Sequence, residues 1–183
     1  MTQKIELKKF ILNKFYNLFS IQKKFIFNEN NVLNLWYILY KIDVIKMALK
    51  IYELQFRTRY AETDQMGYIH HSIYAQYYEM GRIGWMNQVG ISYKEMEKSG
   101  IILPVYTLST KYLIPLTFDE LITVRTYVKY LKGVRLAFGY EIINEAGQKS
   151  TEGEVVLIFA HADSGKPMKP SKEFVDKLLA VSK

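Results

Sequence analysis

The sequence beyond residue 46 predicts one α+β domain, in which an antiparallel sheet curls about a long buried helix. Two observations predict this fold class. The segment from His71 to Val89 contains no proline and is apolar on nearly every side, which is typical of a helix enclosed by other elements. One strand-like segment precedes this helix and four follow it, and glycine turns such as Lys132-Gly133 separate the later segments.

The first strand and the loop after it lead into the helix. Residues 51–59 alternate apolar and polar side chains in part, which predicts a strand. Residues 60–69 contain Gly67 and lack this pattern, which predicts a loop. The helix then begins at His71, with Ser72 as a candidate N-cap.

Two glycines within the helix, Gly81 and Gly84, lower its intrinsic propensity but would let the sheet approach its backbone closely. A short second helix is expected over residues 92–98 and a terminal helix over residues 172–181. Between these helices we expect the four later strands at residues 103–113, 121–131, 134–144 and 149–161.

Length and cysteine content limit the classes of protein to which this chain can belong. The 183 residues suffice for one domain with a substantial core, and 49% hydrophobic with 23% charged residues is ordinary for a soluble globular protein. Cysteine is absent, which excludes a disulfide framework, a thiolate metal site and a cysteine nucleophile. This composition fits a reducing compartment, and we expect the protein in the cytoplasm.

Residues 1–46 form an extension that differs from the rest of the chain. They contain no Gly, Ala, Pro or Arg, and Lys, Asn, Ile, Leu and Phe dominate them. Eight lysines against three acidic residues give the extension a charge of +5, which leaves +2 of the total of +7 for residues 47–183. Most of the basic character, and with it the suggestion of an anionic partner, therefore belongs to the extension.

Three interpretations of the extension stay open. It can be a basic helical appendage, since Phe10, Phe15 and Phe19 could share a face. It can be a targeting segment, although the apolar stretch 32–40 is short and lacks a small-residue cleavage site. It can also be translated upstream sequence with Met47 as the true start, because the composition changes abruptly there. No uninterrupted run reaches the ~20 apolar residues of a membrane span, so we expect no stable membrane insertion.

The residues that carry chemistry lie in the loop before the long helix. Asp64, Gly67 and the adjacent His70 and His71 stand at the helix start. The first N–H groups of a helix are unpaired and carry partial positive charge, so a carbonyl oxygen bound there would be polarised. Asp64 is placed to act as a general base on water or as a nucleophile. The pattern indicates acyl transfer, with the developing charge stabilised at the helix start.

Each of these residues also has a purely structural interpretation. An Asp in a polar loop before a helix is usually a turn or capping residue, and histidines are usually surface or satisfied core residues. Two adjacent histidines make a poor metal site, because the third ligand would have to be His161 or a scattered carboxylate. Glu79 can pair with Arg82, three residues later on the helix.

The whole string decides between these interpretations. The arrangement Tyr-x-Glu-Thr-Asp-x-x-Gly-x-x-His-His-x-x-Tyr begins at Tyr60, and Tyr-Tyr-Glu-x-Gly-Arg follows from Tyr77. It resembles the signature of the 4-hydroxybenzoyl-CoA thioesterase family, and most nearly its branch of small bacterial acyl-CoA thioesterases associated with the Tol-Pal gene cluster. The resemblance covers about residues 50–175.

The resemblance implies a hotdog fold, in which a five-stranded antiparallel sheet wraps a long central helix. Family members form dimers, often paired into tetramers, with active sites at subunit interfaces, so we expect a homodimer or homotetramer. The family's essential Asp falls on Asp64, and the His after its glycine falls on His71. An aromatic residue often stands at the position of His70, which departs from the family pattern. Tyr74 and Glu79 match helix positions of the motif, and we expect them to shape the site.

The implied reaction is the hydrolysis of acyl-CoA to a free acid and CoA, which needs neither a metal nor a redox cofactor. Asp64 would activate water or attack the carbonyl directly. Gly67 and the helix start near His71 would bind the carbonyl oxygen, and His71 would orient the acyl group or assist proton transfer. The phosphates of CoA call for cations, and four candidates, which are equally well interpreted as solvated surface charges, are Lys132, Arg135, Lys166 and Lys169.

Other functions fit parts of the sequence. An acyl-carrier-protein thioesterase would share Asp64 and differ around the entrance for the pantetheine arm. A non-catalytic acyl-thioester-binding module would keep the fold, but the retained Asp64, Gly67 and His71 argue against it. Nucleic-acid binding rests almost wholly on the charge of the extension and has no recognised motif behind it.

Overall fold

The computed structural model of the chain describes residues 50–180, so the extension predicted at 1–46 lies outside the described residues. Within this part, the polypeptide forms seven strands, three α-helices and a 3₁₀ turn at Tyr60–Glu62. In chain order the strands and α-helices are β1 Tyr52–Arg57, α1 Ile73–Gln88, α2 Tyr93–Lys98, β2 Ile101–Ile102, β3 Val105–Tyr112, β4 Leu121–Lys132, β5 Arg135–Ile143, β6 Lys149–Ile158, β7 Ala160–His161 and α3 Lys172–Ala180. None of these three helices is long and apolar enough to cross a membrane.

Five strands form one antiparallel sheet in the order β1-β4-β5-β6-β3, which confirms the predicted five-stranded sheet. Strand β3 pairs with β6 rather than with β4, its successor in the sequence. The reason is the course of residues 113–120. This segment leaves β6 where Leu113 N–H donates to Ser150 O, and it reaches the end of β1 where Asp119 N–H donates to Thr58 O. The sheet therefore ends in β1 on one side and in β3 on the other.

Helix α1 buries one face on the sheet. Gln76, Glu79 and Met80 lie on its other side and are exposed. The burial is thus more one-sided than the apolar pattern predicted, because within one chain a single sheet covers only one side of the helix. The buried residues of α1 recur three or four positions apart, as one helical face requires, and are Tyr74, Tyr77, Tyr78, Gly81, Arg82, Trp85 and Met86.

The two glycines of α1 let the sheet approach the helix backbone, as predicted. A β-carbon at Gly81 would overlap the hydroxyl of Thr126 on β4, and one at Gly84 would overlap the ring of Tyr52 on β1. This close packing fixes the axis of α1 relative to two strands. It thereby also fixes the position of the helix start, where the candidate site lies.

Candidate active site

The loop between β1 and α1 closes on itself as a small hairpin around Asp64. Thr63 and Ile69 form an isolated antiparallel bridge, and between them Asp64 N–H donates to Tyr68 O at 2.9 Å. Gly67 N–H donates to Asp64 O at 3.0 Å, with Gly67 in the left-handed region at φ 78°. A β-carbon there would meet no atom within 4 Å, so glycine is favoured by this backbone conformation and not by lack of space.

These bonds change the role expected for Gly67. The sequence predicted that Gly67 would help to bind the substrate carbonyl oxygen. In this conformation its N–H already closes the turn on Asp64 O, so it is not free to bind a second oxygen. Gly67 instead sets the shape of the loop that carries Asp64, and the helix start remains as the source of N–H donors.

The two oxygens of the half-buried Asp64 carboxylate have different environments. Oδ1 accepts the N–H of Met66 at 2.8 Å, which is the turn-forming contact that an Asp makes with its own backbone. Oδ2 has no hydrogen-bond partner within residues 50–180. Asp64 is therefore a turn residue and a candidate base together, because one oxygen orients the carboxylate and the other is left to meet a ligand.

His70 closes the loop, and Ser72 stands at the predicted N-cap position of α1 without capping the helix through its side chain. His70 N–H donates to Glu62 O at 2.8 Å, and the His70 Nδ1 and Ser72 Oγ atoms lie 2.8 Å apart. Ser72 already has helical dihedral angles and makes no capping hydrogen bond with its side chain. The helix consequently begins at Ile73, two residues after the predicted start, where Ile73 N–H donates to His70 O at 3.0 Å.

His71 stands exposed at the mouth of α1, beside the end of strand β3. Its ring centroid lies 4.1 Å from that of His70, and its carbonyl accepts the hydroxyl of Tyr112 at 3.1 Å. The ring of Tyr112 meets that of the buried Tyr74 edge to face, at 5.1 Å between centroids. Burial chiefly raises the pKa of the Tyr74 hydroxyl, which therefore stays protonated at neutral pH. Tyr74 is thus buried in the first turn of α1, and its role in shaping the site stays a prediction.

The buried carboxylate of Glu62 supports the Asp64 loop through hydrogen bonds to Arg59 and Tyr77. Glu62 Oε2 accepts Arg59 N–H at 2.6 Å and the Tyr77 hydroxyl at 2.7 Å, and Oε1 accepts Arg59 Nε and Nη2 at 2.8 and 2.6 Å. Burial alone would raise the pKa of Glu62. The hydrogen bonds from Arg59 and Tyr77 outweigh burial, so the pKa lies below the ordinary glutamate value. Burial, and after it the hydrogen bond to Glu62, raises the pKa of the Tyr77 hydroxyl.

Sequence reasoning assigned no role to Glu62, and none in holding the Asp64 loop to Tyr77 or Tyr112. Glu62 belongs to the motif string, and Arg59 precedes it by three residues, so a local ion pair was detectable. Tyr77 and Tyr112 reach the site from α1 and β3, which no spacing rule predicts.

Other predicted site residues form no hydrogen bond or ion pair with the Asp64 loop among residues 50–180. Glu79 is exposed and pairs with Arg82 at 3.9 Å, as predicted for this spacing. Arg135 stacks over the ring of Tyr106, 5.0 Å from its centroid, near the start of β3. Tyr112, which contacts His71, lies at the other end of that strand, about 20 Å away. Lys132 stands beside Arg135 across the same hairpin, so the structure does not bring these two cations to the Asp64 loop of their own chain.

Lys166 and Lys169 are exposed in the segment after β7. Within this segment Lys166 O accepts His161 N–H at 3.0 Å, so its backbone is ordered while its side chain faces solvent. Their role in CoA binding stays a prediction.

Two further features bear on alternative chemistry. Among residues 50–180, no group of three or more His, Asp or Glu side chains is arranged to hold a metal ion. A shallow groove of about 470 Å³ crosses strands β3 to β6 away from the Asp64 loop, and Lys129 and Lys111 in it pair with Glu154 and Glu152. These charges neutralise one another, whereas one oxygen of the Asp64 carboxylate has no partner among residues 50–180, so we place the candidate site at the loop.

Comparison with known proteins identifies the family. The sequence profile of the thioesterase-like superfamily matches residues 58–178. YneP of Bacillus subtilis, a protein assigned as an acyl-CoA thioesterase, is 35% identical over 129 residues, which are 70% of this chain and 94% of that protein. The chloroplastic acyl-acyl carrier protein thioesterase ATL2 of Arabidopsis thaliana is 32% identical over 87 residues, 48% of this chain and 46% of that protein.

A solved structure agrees with the sequence matches. The DHNA-CoA thioesterase of Staphylococcus aureus superposes with a TM-score of 0.67 at 35% identity, over 72% of this chain and 92% of that chain. The predictions of a hotdog fold and of a thioester hydrolase are thereby confirmed. The profile match, the identity to YneP and the shared architecture lead to one conclusion: the chain belongs to the thioesterase-like superfamily.

Proposed function

We propose that the protein hydrolyses acyl-CoA thioesters and that Asp64 carries the reaction. The observation that supports this most directly is the Asp64 carboxylate, which has one oxygen fixed by Met66 N–H and the other without a partner among residues 50–180, in the loop that leads into α1. Within the superfamily, the motif from Tyr60 to Arg82 supports assignment to the 4-hydroxybenzoyl-CoA thioesterase family and its Tol-Pal-associated branch.

The reaction has two possible first steps at Asp64. As a general base, Oδ2 takes a proton from water while the water oxygen attacks the thioester carbon. As a nucleophile, Oδ2 attacks that carbon itself, and water then hydrolyses the mixed anhydride. In both routes the C–S bond breaks, the CoA sulfur leaves and takes up a proton, and the acyl group is released as the free acid.

The helix start supplies electrostatic stabilisation for either route. Negative charge develops on the carbonyl oxygen as the carbon becomes tetrahedral. The N–H groups that follow that of Ile73 in the first turn of α1 carry partial positive charge, so an oxygen bound there would be stabilised. His71 would orient the acyl group or assist the proton transfer to sulfur.

We further propose that two copies pair through β3 and complete the site between them. Strand β3 is an edge of the sheet, and its exposed apolar side chains are Val105, Tyr106, Leu108 and Tyr112. An exposed apolar edge strand is a template for pairing with another chain. Antiparallel pairing of two β3 strands sets the Val105 end of one copy beside the Tyr112 end of the other.

This arrangement would also explain the position of the candidate CoA ligands. Lys132 and Arg135 lie at the Val105 end of β3 and Asp64 at the Tyr112 end. Pairing of the two copies would bring the cations of one subunit towards the Asp64 loop of the other. The acyl-CoA would then lie across the interface, and dimers could assemble further into a homotetramer.

Thiol release from a panel of short, long and aromatic acyl-CoA esters tests this function. We expect turnover by the wild type and a loss of at least about a thousandfold in kcat for Asp64→Asn. The Asn side chain keeps the Oδ1 contact with Met66 N–H but cannot accept a proton at neutral pH. Asp119→Asn is the matched control, because Asp119 is an exposed loop carboxylate with φ 58°, a conformation that Asn tolerates.

Two outcomes would contradict the proposal. Full activity of Asp64→Asn would remove Asp64 from the chemistry. Hydrolysis of an acyl-acyl-carrier-protein without hydrolysis of any acyl-CoA would move the substrate to the class on which ATL2 is named as acting.

A further inference from the structure

We infer that Glu62 is a positioning residue, whose carboxylate ties the Asp64 loop to α1 and so fixes Asp64 against the helix start. The inference rests on the proposed function of Asp64. Glu62 would touch neither the substrate carbonyl nor the attacking water. It would affect turnover by holding the geometry of the loop that carries Asp64.

The contacts of Glu62 join three parts of the molecule. Its side chain accepts the Tyr77 hydroxyl from the second turn of α1 and three N–H groups from Arg59, at the end of the β1 segment. Its backbone carbonyl accepts His70 N–H at 2.8 Å. Glu62 is therefore the residue at which strand, loop and helix meet, two positions before Asp64.

Both ends of the Asp64 loop rest on this junction. Glu62 and His70 are joined by a backbone hydrogen bond, and the next pair inward, Thr63 and Ile69, forms the bridge that closes the hairpin. Rotation of Glu62 about its backbone would move both ends of the hairpin together. The bond to Tyr77 prevents this rotation, because Tyr77 is 1% exposed and packed in the core.

The burial of Glu62 makes this a specific anchor rather than a surface contact. The residue is 4% exposed, and a buried carboxylate is stable only when its oxygens are hydrogen-bonded. Every bond to it is charge-assisted and short, which limits the directions in which the loop can move. Gln at this position keeps the shape but has one acceptor oxygen in place of two, so its NH₂ group would face the donors of Arg59 or Tyr77.

The test compares single hydrogen-bond deletions in the full-length chain. Tyr77→Phe removes only the hydroxyl that reaches Glu62. Its matched control is Tyr140→Phe, because Tyr140 is also 1% exposed and its hydroxyl has no partner among the described residues. Glu62→Gln removes the charge itself. For each protein we would measure kcat and KM with an acyl-CoA that the wild type cleaves, and amide hydrogen exchange of Asp64, Gly67 and His70.

The positioning role predicts a fall in kcat without a matching rise in KM. We expect kcat to fall about tenfold in Glu62→Gln and about threefold in Tyr77→Phe, with KM within about twofold of wild type, because a misplaced base slows the chemical step. Exchange of the His70 N–H should accelerate in both variants. Tyr140→Phe should leave the two kinetic constants and the exchange rates unchanged.

The outcomes separate this inference from the proposed function. Unchanged kcat and unchanged exchange in both Glu62→Gln and Tyr77→Phe overturn it, as does an equal loss of kcat in Tyr140→Phe. If Glu62→Gln does not fold, Tyr77→Phe decides alone. If the wild type cleaves no thioester, the function fails, and the hydrogen exchange of the loop still shows whether Glu62 holds it.

Discussion

The hydroxyl of Tyr77 lies 2.7 Å from the carboxylate of Glu62, although fifteen positions separate the two residues in the sequence. This bond connects the second turn of α1 to the 3₁₀ turn that precedes Asp64. The bonds of a buried carboxylate stabilise the fold most while the carboxylate is ionised. Protonation of Glu62 at low pH should therefore weaken the anchoring of the Asp64 loop.

Glu62 should make the folded state sensitive to acid. Its pKa is lower in the folded chain than in the unfolded chain, so its contribution to stability is complete above the usual glutamate pKa of about 4.3 and is lost as the pH falls below that value. Glu62→Gln should therefore lower the free energy of unfolding by about 2 kcal/mol at pH 7 and by much less near pH 3. Urea unfolding of the wild type and of Glu62→Gln at several pH values measures this difference in unfolding free energy.

Glu173→Gln is the control for this pH dependence. The pKa of Glu173 is also lowered, by Lys177 on α3, but its side chain is exposed and the pair is screened by solvent. Its replacement should change the unfolding free energy little at any pH. An equal pH-dependent loss in the two variants would contradict a special role for Glu62.

Gly67→Ala should lower both stability and turnover. The substitution forces a β-carbon into the left-handed region at φ 78°, which costs about 1 kcal/mol. Gly147→Ala is a matched control, because Gly147 has the same φ and equally open space in the turn between β5 and β6. We expect equal losses of stability by thermal unfolding, and a loss of kcat in Gly67→Ala alone. Equal turnover in the two variants would show that the loop shape is unimportant.

Leu108→Lys should dissociate the proposed dimer. Leu108 is 44% exposed on β3, and a lysine there places a charge in an apolar strand-to-strand contact. Light scattering after size exclusion should show a smaller mass and the thiol assay a lower activity, because the site is completed by the partner. Leu179→Lys on α3, at 36% exposure, should change neither property. A monomeric, active wild type would disprove pairing through β3.

His71→Ala should reduce turnover less than Asp64→Asn. The His71 side chain is exposed, its ring lies against that of His70, and it makes no hydrogen bond or ion pair among residues 50–180, so it can orient a ligand or move a proton without supporting the loop. We expect kcat to fall about tenfold and the thermal midpoint to stay unchanged. His161→Ala, an exposed histidine on β7, should retain full activity. A loss of kcat as large as that of Asp64→Asn would contradict this secondary role and show that His71 is essential.

Periodicity and turn chemistry predicted the elements, because these are local properties of the chain. The long helix, predicted at 71–89, runs from Ile73 to Gln88, and the main strands lie within three residues of their predicted bounds. The helix start was placed two residues early, and the N-cap position directly before Ile73 is held by the candidate cap, Ser72. Its hydroxyl instead meets His70 Nδ1, an interaction that a propensity cannot show.

The sequence by itself determined the elements, the loop with Asp64 and the family motif, since each depends on residues close together in the chain. Only the tertiary structure decided that β3 joins β6 at the sheet edge and that Tyr77 holds Glu62. These features depend on contacts between residues far apart in the sequence. Such contacts form only when the whole sheet packs on α1, and no local pattern encodes them.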